Sequence, residues 1–358
     1  MKARSTCPNF AANTASYGGA VENDAAGAFF SNVTFSGNTA SLEGGAVFTL
    51  DQGHAVNLRF THSSFLGNSA KNTGGAVTNH DFSASSSARF DHVVFEANFL
   101  TSSGSGGAVA NSGKAVFKDV LFARNGPANS GGAIANLGTV SGGIPDVIID
   151  GAAFIENSAT GGGAVSSSGY SGGAATMQIS NATFWKNTGT SFGGAISMFA
   201  YGASSNLVVR NVTFGSNHAP SGGALSINSY DAGSPATATL SDTILWGDTA
   251  SFHPEIEFVG LGTKSATIDH GIAQNGCPAG AVCSTVSSGD PLLGPLQKYG
   301  GFTPALMPDA ASPAINAGVN CTSTDQRGVA RPQGAACDIG SIERRSVEDH
   351  LFDDSFDY

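Results

Sequence analysis

The sequence predicts an all-β protein, a solenoid of about nine coils with three short parallel strands in each coil. A Phe-x-x-Asn tetrad recurs eight times with a period close to thirty residues, and Gly-Gly-Ala with an aliphatic residue follows each tetrad. The tetrads begin at Phe10, Phe35, Phe65, Phe95, Phe122, Phe154, Phe184 and Phe214. The Gly-Gly-Ala runs begin at Gly18, Gly44, Gly74, Gly106, Gly131, Gly162, Gly193 and Gly222. A fixed period of this length is typical of a repeat protein whose coils stack on one another.

Strands rather than helices fill this period. If each Phe is position zero, positions −7 and −5 are small or apolar, as in Leu58 and Phe60 before Phe65. Position −3 is Asn, His, Asp or Gly, and positions −2 and 0 are mostly apolar again. Alternation by two indicates strands, so we predict two short strands that meet at a polar corner at position −3. The Gly-Gly pair allows close backbone approach, and the residues after it begin a third strand.

The Asn of each tetrad lies at position +3 in all eight units, and a ninth unit around Leu245 has Asp248 there. Equivalent residues of successive coils lie above one another at roughly 4.8 Å, the spacing of strands in a sheet. An inward Asn can then hydrogen-bond its neighbours and their backbone, and the Phe side chains stack beside it. We predict this ladder at Asn38, Asn68, Asn98, Asn125, Asn157, Asn187 and Asn217.

The charge of the chain limits its partners. Charged residues are 12% of the 358 residues, about half the usual share, and the formal net charge is −11. No run of basic residues is present. Nucleic acid and anionic membrane surfaces are therefore poor partners for this chain.

The sequence also contains no apolar run long enough to form a transmembrane segment, which needs about eighteen residues. Residues Met1 to Pro8 lack the apolar stretch of a signal peptide, yet a complete repeat already begins at Phe10. A solenoid that opens on a full coil exposes a strand edge. We therefore expect that an export signal and an N-terminal cap precede this sequence.

Four of the five cysteines lie in two couplets near the C-terminus, Cys277 with Cys283 and Cys321 with Cys337. Pairing within each couplet predicts two disulfides and an oxidising compartment. The alternatives are four reduced, buried thiols or a zinc site, although neither couplet has Cys-x-x-Cys spacing. Cys7 stands alone, and its partner is expected upstream.

After Trp246 the period fails, and a series of motifs rich in Pro and Gly follows. The motifs are, in order, Asp290-Pro-Leu-Leu-Gly, Gly300-Gly-Phe-Thr-Pro, Ser312-Pro-Ala-Ile-Asn-Ala-Gly, Asp325-Gln-Arg-Gly, Arg331-Pro and Cys337-Asp-Ile-Gly with Glu343. Between Asp290 and Glu343 the chain thus resembles the C-terminal region of bacterial choice-of-anchor Q proteins. The Phe-x-x-Asn and Gly-Gly-Ala alternation resembles the repeat of polymorphic outer membrane proteins, which are surface-exposed β-helical adhesins.

These resemblances imply an exported bacterial protein with a right-handed, pectate-lyase-like parallel β-helix. We divide the chain into β-helix repeats over 1–250, a disulfide-bounded cap of choice-of-anchor Q type over 251–345, and an acidic tail over 346–358. The tail reads as either a sorting or anchoring tag or a solvated end.

One charged constellation is a candidate for chemistry. Asp51, Arg59 and His62 recur thirty residues later as Asp81, Arg89 and His92, so the two sets stack across neighbouring coils. Two carboxylates about 5 Å apart could share a cation or act as acid and nucleophile, and two Arg could hold an anionic sugar. The alternative is a solvated surface patch in which Asp pairs with Arg.

A second charged cluster, in the cap, is predicted to form ion pairs and loop hydrogen bonds. Its members are Asp325, Arg327, Arg331, Asp338 and Glu343. The aromatic residues best placed to stack on sugars are Trp185, Trp246, Tyr170, Tyr201 and Tyr230, and packing over loop bases is the other interpretation. His80, His253 and His270 have no metal-ligand spacing, and calcium-binding nonapeptides are absent from the sequence. We predict no cofactor and no bound metal.

The sequence therefore favours an exported or cell-surface, non-catalytic β-helix that contacts surface glycans or the proteins of host or other cells. A polysaccharide lyase or glycoside hydrolase with a groove along the β-helix is the first alternative, and a structural envelope component is the second.

Overall fold

A computed structural model describes residues 8–24, 26–51, 55–81, 86–138 and 145–345. These residues form an all-β solenoid of parallel strands, as predicted, and contain no helix. It follows that, within the described ranges, no helix of a length and apolarity suited to crossing a bilayer is found. The strands of successive coils pair in register along three faces, which we call face 1, face 2 and face 3 in the order in which the chain visits them in most coils.

Face 1 is a 14-stranded sheet that contains the Phe of every tetrad. Its strands are Asn9–Ala11, Ala28–Ser31, Thr34–Ser36, Asn57–Thr61, Ser64–Leu66, Ser87–Glu96, Lys114–Ala123, Asp146–Asp150, Ala153–Ile155, Ala175–Trp185, Ser205–Gly215, Ala236–Trp246, Lys264–Ala273 and Val282–Ser287.

Face 2 follows the Asn of each tetrad and is made of short strands in a four-stranded and a two-stranded sheet. The first sheet contains Thr14–Tyr17, Thr39–Glu43, Ser69–Ala70 and Phe99–Leu100, and the second contains Ser158–Gly161 and Thr188–Phe192.

Face 3 follows Gly-Gly-Ala and is a nine-stranded parallel sheet. Its strands are Val21–Asp24, Val47–Leu50, Val77–His80, Val109–Asn111, Ile134–Gly138, Val165–Tyr170, Ile196–Tyr201, Leu225–Ser229 and Ile256–Val259. Nine stacked strands on one face enclose about eight turns of the solenoid.

Position −3 separates two short strands of face 1 in three coils, those of Asn32, His62 and Gly151, as the sequence predicts. In the other five coils the segments before and after it belong to one continuous strand, such as Ser87–Glu96, which corrects the prediction of a corner there. Every residue at this position has a positive φ, between 48° and 76°. We call the set the left-handed row, and it consists of Asn32, His62, His92, Asp119, Gly151, Asn181, Asn211 and Asp242. The left-handed region favours Gly, Asn, Asp and His, which explains the residue types found there.

The core is held together by stacked phenylalanines. The rings of the tetrad Phe residues lie 4.5–5.0 Å apart from coil to coil and are nearly parallel. A second file of rings, from Phe30 through Phe60 and Phe90 to Phe117, packs edge-on against the first. Each fully buried ring contributes roughly 2–3 kcal/mol of transfer free energy, so the stack is a major source of stability.

The Asn side chains of the tetrads form a continuous hydrogen-bonded ladder beside the rings. In each step Nδ2 donates to Oδ1 of the next Asn at 2.8–3.0 Å. The same Nδ2 also donates to a Phe carbonyl of the preceding coil, as Asn217 does to Phe184 at 3.1 Å. The ladder thus satisfies the polar groups of the buried turn after each Phe.

The ladder ends on an acid. Asp248 Oδ1 accepts hydrogen bonds from N and Nδ2 of Asn217, both at 2.8 Å. Its Oδ2 is buried without a hydrogen-bond partner. Burial, augmented by the nearby charge of Glu255, raises the pKa of Asp248 to about 7.

The Gly-Gly pairs are required by close backbone approach. Gly44 has a φ of +64°, and a Cβ added there would lie 2.4 Å from the carbonyl oxygen of Val47. At Gly45 a Cβ would lie 2.0 Å from the carbonyl oxygen of Gly75 in the next coil. Both positions are therefore closed to any other residue without movement of the backbone.

The boundary predicted at residue 250 is too early, because the strands Ile256–Val259, Lys264–Ala273 and Val282–Ser287 continue faces 1 and 3. Residues 288–345 then turn back and run along the outside of face 1. We call this segment the strap. It begins with an antiparallel pair, Leu293–Gln297 with Ala305–Pro308. The sequence prediction had placed this region as a cap that closes the end of the solenoid.

The strap is hydrogen-bonded to residues of the left-handed row. Thr303 Oγ1 donates to the carbonyl of Gly151 at 3.1 Å, and Thr322 N donates to Asn211 Oδ1 at 2.9 Å. Asp242 accepts from two further backbone N–H groups of the strap. The strap is thus attached to face 1 over several coils.

The predicted disulfides are confirmed, since Cys277 pairs with Cys283 and Cys321 pairs with Cys337. The predicted ion pairs in the strap are present as well. Two of them are Arg327 with Asp325 at 2.8 Å and Arg331 with Glu343 at 3.0 Å, and all four side chains are buried. Backbone N–H groups donate to Asp338 from Asn316 and Arg344. Cys7 and the acidic tail lie outside the described residues.

Candidate functional site

Four of the six residues of the first candidate constellation do not form a surface patch together, namely Asp51, Asp81, Arg59 and Arg89. Asp51 and Asp81 directly follow two adjacent strands of face 3, and they are 0% and 1% exposed. Arg59 and Arg89 lie side by side on face 1. Arg59 is exposed and lies over the ring of Phe29 at 5.6 Å. Burial of both carboxylates corrects the expectation of a solvated patch.

The surroundings of Asp81 indicate a structural role. Its Oδ2 accepts a hydrogen bond from Ser86 N at 3.1 Å, and its own N–H donates to Ser112 Oγ at 3.2 Å. Arg89 lies 3.8 Å from Asp91. The geometry therefore does not present Asp51 and Asp81 as an exposed carboxylate pair of the kind that flanks a glycosidic bond.

A different site lies on the outer side of face 3. Alternation by two sends Val165, Ser167 and their equivalents into the core, and Ser166, Ser168 and Tyr170 outward. The equivalents of Ser168 in the next two coils are Phe199 and Asn228. A groove of about 330 Å³ follows these outward rows.

We call this the aromatic groove. Its lining residues are Asn129, Ser130, Leu137, Thr160, Gly161, Ser166, Ser168, Tyr170, Phe192, Ser197, Phe199, Asn228 and Tyr230. They come from faces 2 and 3 of consecutive coils, so the repeat itself aligns them along the solenoid axis.

The aromatic rings of the groove are paired between coils. Tyr170 lies 5.6 Å from Tyr201 with an interplanar angle of 29°, and Phe199 lies 5.1 Å from Tyr230 with an angle of 39°. Tyr170, Tyr201 and Tyr230 are 43%, 48% and 41% exposed. Their faces are fixed by packing against a neighbouring ring and yet open to solvent, which is the form of a stacking platform.

Small polar groups complete the groove. The hydroxyl of Ser166 is buried and has no hydrogen-bond partner among the described residues. Asn228 Nδ2 donates to the carbonyl of Met198 at 2.7 Å and to Ser197 Oγ at 3.2 Å. A buried hydroxyl without a partner costs free energy, and a bound polar ligand would satisfy it.

Among the residues that the structure describes, none that lines the groove carries a charge at neutral pH. The groove therefore combines apolar rings with hydroxyl and amide groups, and it contains no carboxylate for general acid or base catalysis. This composition is suited to binding an uncharged ligand.

The tryptophans take other roles than those considered from the sequence. Trp185 packs beside Ile155 and Leu296, and Lys186 Nζ lies 4.1 Å from the centre of its ring. Trp246 packs against a cluster of face 1 and strap residues that includes Ile339. Both therefore lie on face 1, away from the tyrosines.

Sequence reasoning singled out the three tyrosines and missed Leu137, Ser166, Phe192 and Phe199. The signal was present for Phe199, since it is an apolar residue at an outward position of a strand. Ser166 carries no such signal, because its unpaired hydroxyl is visible only in three dimensions.

Comparison with known proteins gives one match. Residues 32–50 match the Chlamydia polymorphic membrane protein repeat family. The matched segment runs from the left-handed row through a Phe-x-x-Asn tetrad and Gly-Gly-Ala to the end of a face 3 strand. This match suggests a bacterial surface protein with a β-helix fold. None of the curated proteins and none of the solved structures matches the chain.

Proposed function

We propose that this chain is part of an exported, non-catalytic bacterial surface protein that binds neutral glycans through the aromatic groove and so serves adhesion. The observation that carries the proposal is the file of exposed tyrosine rings and half-buried phenylalanine rings beside hydroxyl and amide groups in an uncharged groove. The match of one repeat to a bacterial membrane protein family supports the surface location.

The chemistry of sugars fits these groups. A pyranose has apolar faces edged by hydroxyl groups, so a rigid ring stacks on the face and nearby polar groups hydrogen-bond the edge. Tyr170 and Tyr230 supply the rings, and the hydroxyl of Ser166 supplies a polar group without a partner in the protein. Because the rings follow the coils, a chain of sugars would lie along the solenoid axis.

A neutral glycan is favoured over an acidic one. The described part of the groove lining contains no Lys or Arg, and the chain has a net charge of −11. An acidic polysaccharide would thus meet repulsion without a local cationic partner.

The test is a glycan array with neutral and acidic oligosaccharides, followed by calorimetric titration of the ligands that bind. We expect that Tyr170→Ala combined with Tyr230→Ala weakens binding at least tenfold, a loss of about 1.4 kcal/mol, because both rings on which a sugar would stack are removed. Phe199→Ser, which reproduces Ser168 of the preceding coil, should weaken it as well.

The matched control is Tyr17→Ala. Tyr17 is an exposed ring at the opposite end of the solenoid, 4.8 Å from Phe48, and it does not line the groove. Unchanged glycan binding by the groove variants, or an equal loss in the control, would rule out the aromatic groove as the binding site.

Three finer assignments stay predictions. They are the choice-of-anchor Q type of the C-terminal region, the pectate-lyase-like right-handed form of the helix, and the export signal upstream of the sequence. Protein partners on host or other cells, a polysaccharide-cleaving activity and a structural envelope role remain the alternatives to glycan binding.

A further inference from the structure

We propose that the left-handed row holds a divalent transition-metal site at His92 and Asp119, beside the edge of the strap. From the sequence we predicted no bound metal, and His92 was considered only together with Asp81 and Arg89. The fold places one carboxylate or imidazole ligand atom from each of Asp91, His92 and Asp119 within 4.8 Å of one another.

The imidazole of His92 is oriented for metal binding. Its Nδ1 lies 2.6 Å from Asp91 Oδ1, and its Nε2 lies 3.9 Å from Asp119 Oδ2. When Asp91 accepts a hydrogen bond from Nδ1–H, the lone pair of Nε2 is free and points towards Asp119. This is the arrangement by which an outer carboxylate fixes the tautomer of a metal-ligating histidine.

The ring of His92 is also held in place by its neighbours. His62, the preceding member of the left-handed row, stacks on it at 4.9 Å with an interplanar angle of 17°. The ring of Phe302, from the strap, contacts it edge-on at 5.1 Å. A ligand that is fixed before binding loses less conformational entropy when the metal binds.

Asp119 is half-buried, and within the described ranges neither of its oxygens accepts a hydrogen bond. Gly151, the next member of the row, leaves room for this carboxylate, since a Cβ there would lie 2.3 Å from Asp119 Oδ1. Burial raises the pKa of Asp119, and the positive charge of His92 partly offsets this increase. A cation between Nε2 and this carboxylate would supply the missing partner.

The site opens into a charged cleft of about 390 Å³ between face 1 and the strap. The ionisable groups around it, besides His92 and Asp119, are Lys118 and Asp150 from face 1 and Asp325 and Arg327 from the strap. Arg327 and Asp325 are paired with each other. Lys118 is exposed and is the competing counter-ion for Asp119.

An imidazole nitrogen together with carboxylate oxygens selects Zn²⁺, or Mn²⁺ and Co²⁺ in its place, rather than Ca²⁺, which prefers oxygen alone. The open cleft leaves coordination positions for water or for a group of a ligand. Because Phe302 and Gly300 belong to the strap, a bound ion would lie at the junction of the strap with the solenoid.

The test is calorimetric titration of the untagged full chain with Zn²⁺, together with the visible absorption of Co²⁺, which reports nitrogen and oxygen ligands. We expect one saturable site in the wild-type chain. His92→Asn keeps a residue that the row already uses at Asn181 and Asn211, and it should weaken binding at least tenfold. Asp119→Asn should do the same, and Asp91→Asn should weaken binding about 10- to 100-fold, as outer partners do.

His62→Asn is the matched control, since it makes the same substitution one coil away and should change the affinity less than twofold. Circular dichroism verifies that each variant is folded. Wild-type affinity for Zn²⁺ in His92→Asn, or no saturable binding by the wild-type chain, would overturn the proposal. A spectrum of Co²⁺ that does not change on addition of the protein would overturn it as well.

Discussion

Replacement of Asp248 by Asn should stabilise the protein in a manner that depends on pH. From Asn38 to Asn217, the Nδ2 of each ladder Asn donates to a Phe carbonyl, and Asp248 Oδ2 occupies the equivalent position without a partner. Burial of an oxygen without a partner disfavours the ionised carboxylate, so the folded state keeps a proton on Asp248 up to a pKa of about 7.

The magnitude follows from the difference between this pKa and the ordinary value of 3.8. Between pH 4 and 7 the unfolded chain has released the proton that the folded chain retains, so the free energy of unfolding falls as pH rises. Relative to an acid with the same pKa in the folded and unfolded states, Asp248 lowers the free energy of unfolding by about 1 kcal/mol at pH 4.5 and by about 4 kcal/mol at pH 8. Asp248→Asn removes this loss and restores the amide donor.

Urea denaturation of the wild type and the variant at pH 4.5 and pH 8, followed by tryptophan fluorescence, measures the effect. The stability advantage of Asp248→Asn should grow by about 3 kcal/mol between the two pH values. Asn217→Asp, one step earlier, should show the opposite change because it adds a second buried acid. An advantage that is equal at both pH values, or a variant less stable than the wild type at pH 8, would refute this reasoning.

Three further predictions concern the fold. Asn157→Ala removes a residue whose amide both donates and accepts in the ladder, and it should lower the free energy of unfolding by about 3 kcal/mol or more in urea denaturation. Phe154→Ala should cost about 3–5 kcal/mol, whereas Phe154→Leu should cost clearly less, because the cavity is smaller; equal losses would contradict the stacking argument. Replacement of Cys321 and Cys337 by Ser should lower stability by about 3 kcal/mol, since the disulfide closes a loop with a sequence separation of 16; reduction of the wild type should cost at least as much, because it also opens Cys277–Cys283.

The repeat made the fold predictable, because each repeated residue performs one physical task at one place. Phe and Asn at fixed offsets had to stack on their equivalents in the next coil, and Gly-Gly had to lie where the backbones of successive coils approach each other closely. The meaning of position −3 was not accessible in the same way. A polar residue in an apolar alternation looks like a corner, and only the backbone shows that His92 and Asp119 are left-handed residues within continuous strands.

The candidate sites were predictable only in part, because they combine residues of several coils. Tyr170 and Tyr230 were noticed as aromatic residues, but the groove between them depends on Phe199 and on the spacing of face 3. The burial of Asp51 and Asp81 could not be predicted from their identical register. Register determines which residues are neighbours, but it does not determine whether a side chain points into the core or to solvent. The path of the strap has no repeat that would predict it.

The strap changes how cooperatively the solenoid should fold. In a simple solenoid each coil contacts only its neighbours, so coils can open from an end one after another. Here Thr183 contacts Ser341 across 158 positions of sequence and Thr303 contacts Gly151 across 152. The strap can dock only after the coils that it contacts have formed. Its late, non-local contacts should therefore make the coils from Gly151 onward fold and unfold together as a single unit. Amide hydrogen exchange should then be slow and uniform over the coils from Gly151 onward, and should become faster coil by coil towards Phe10.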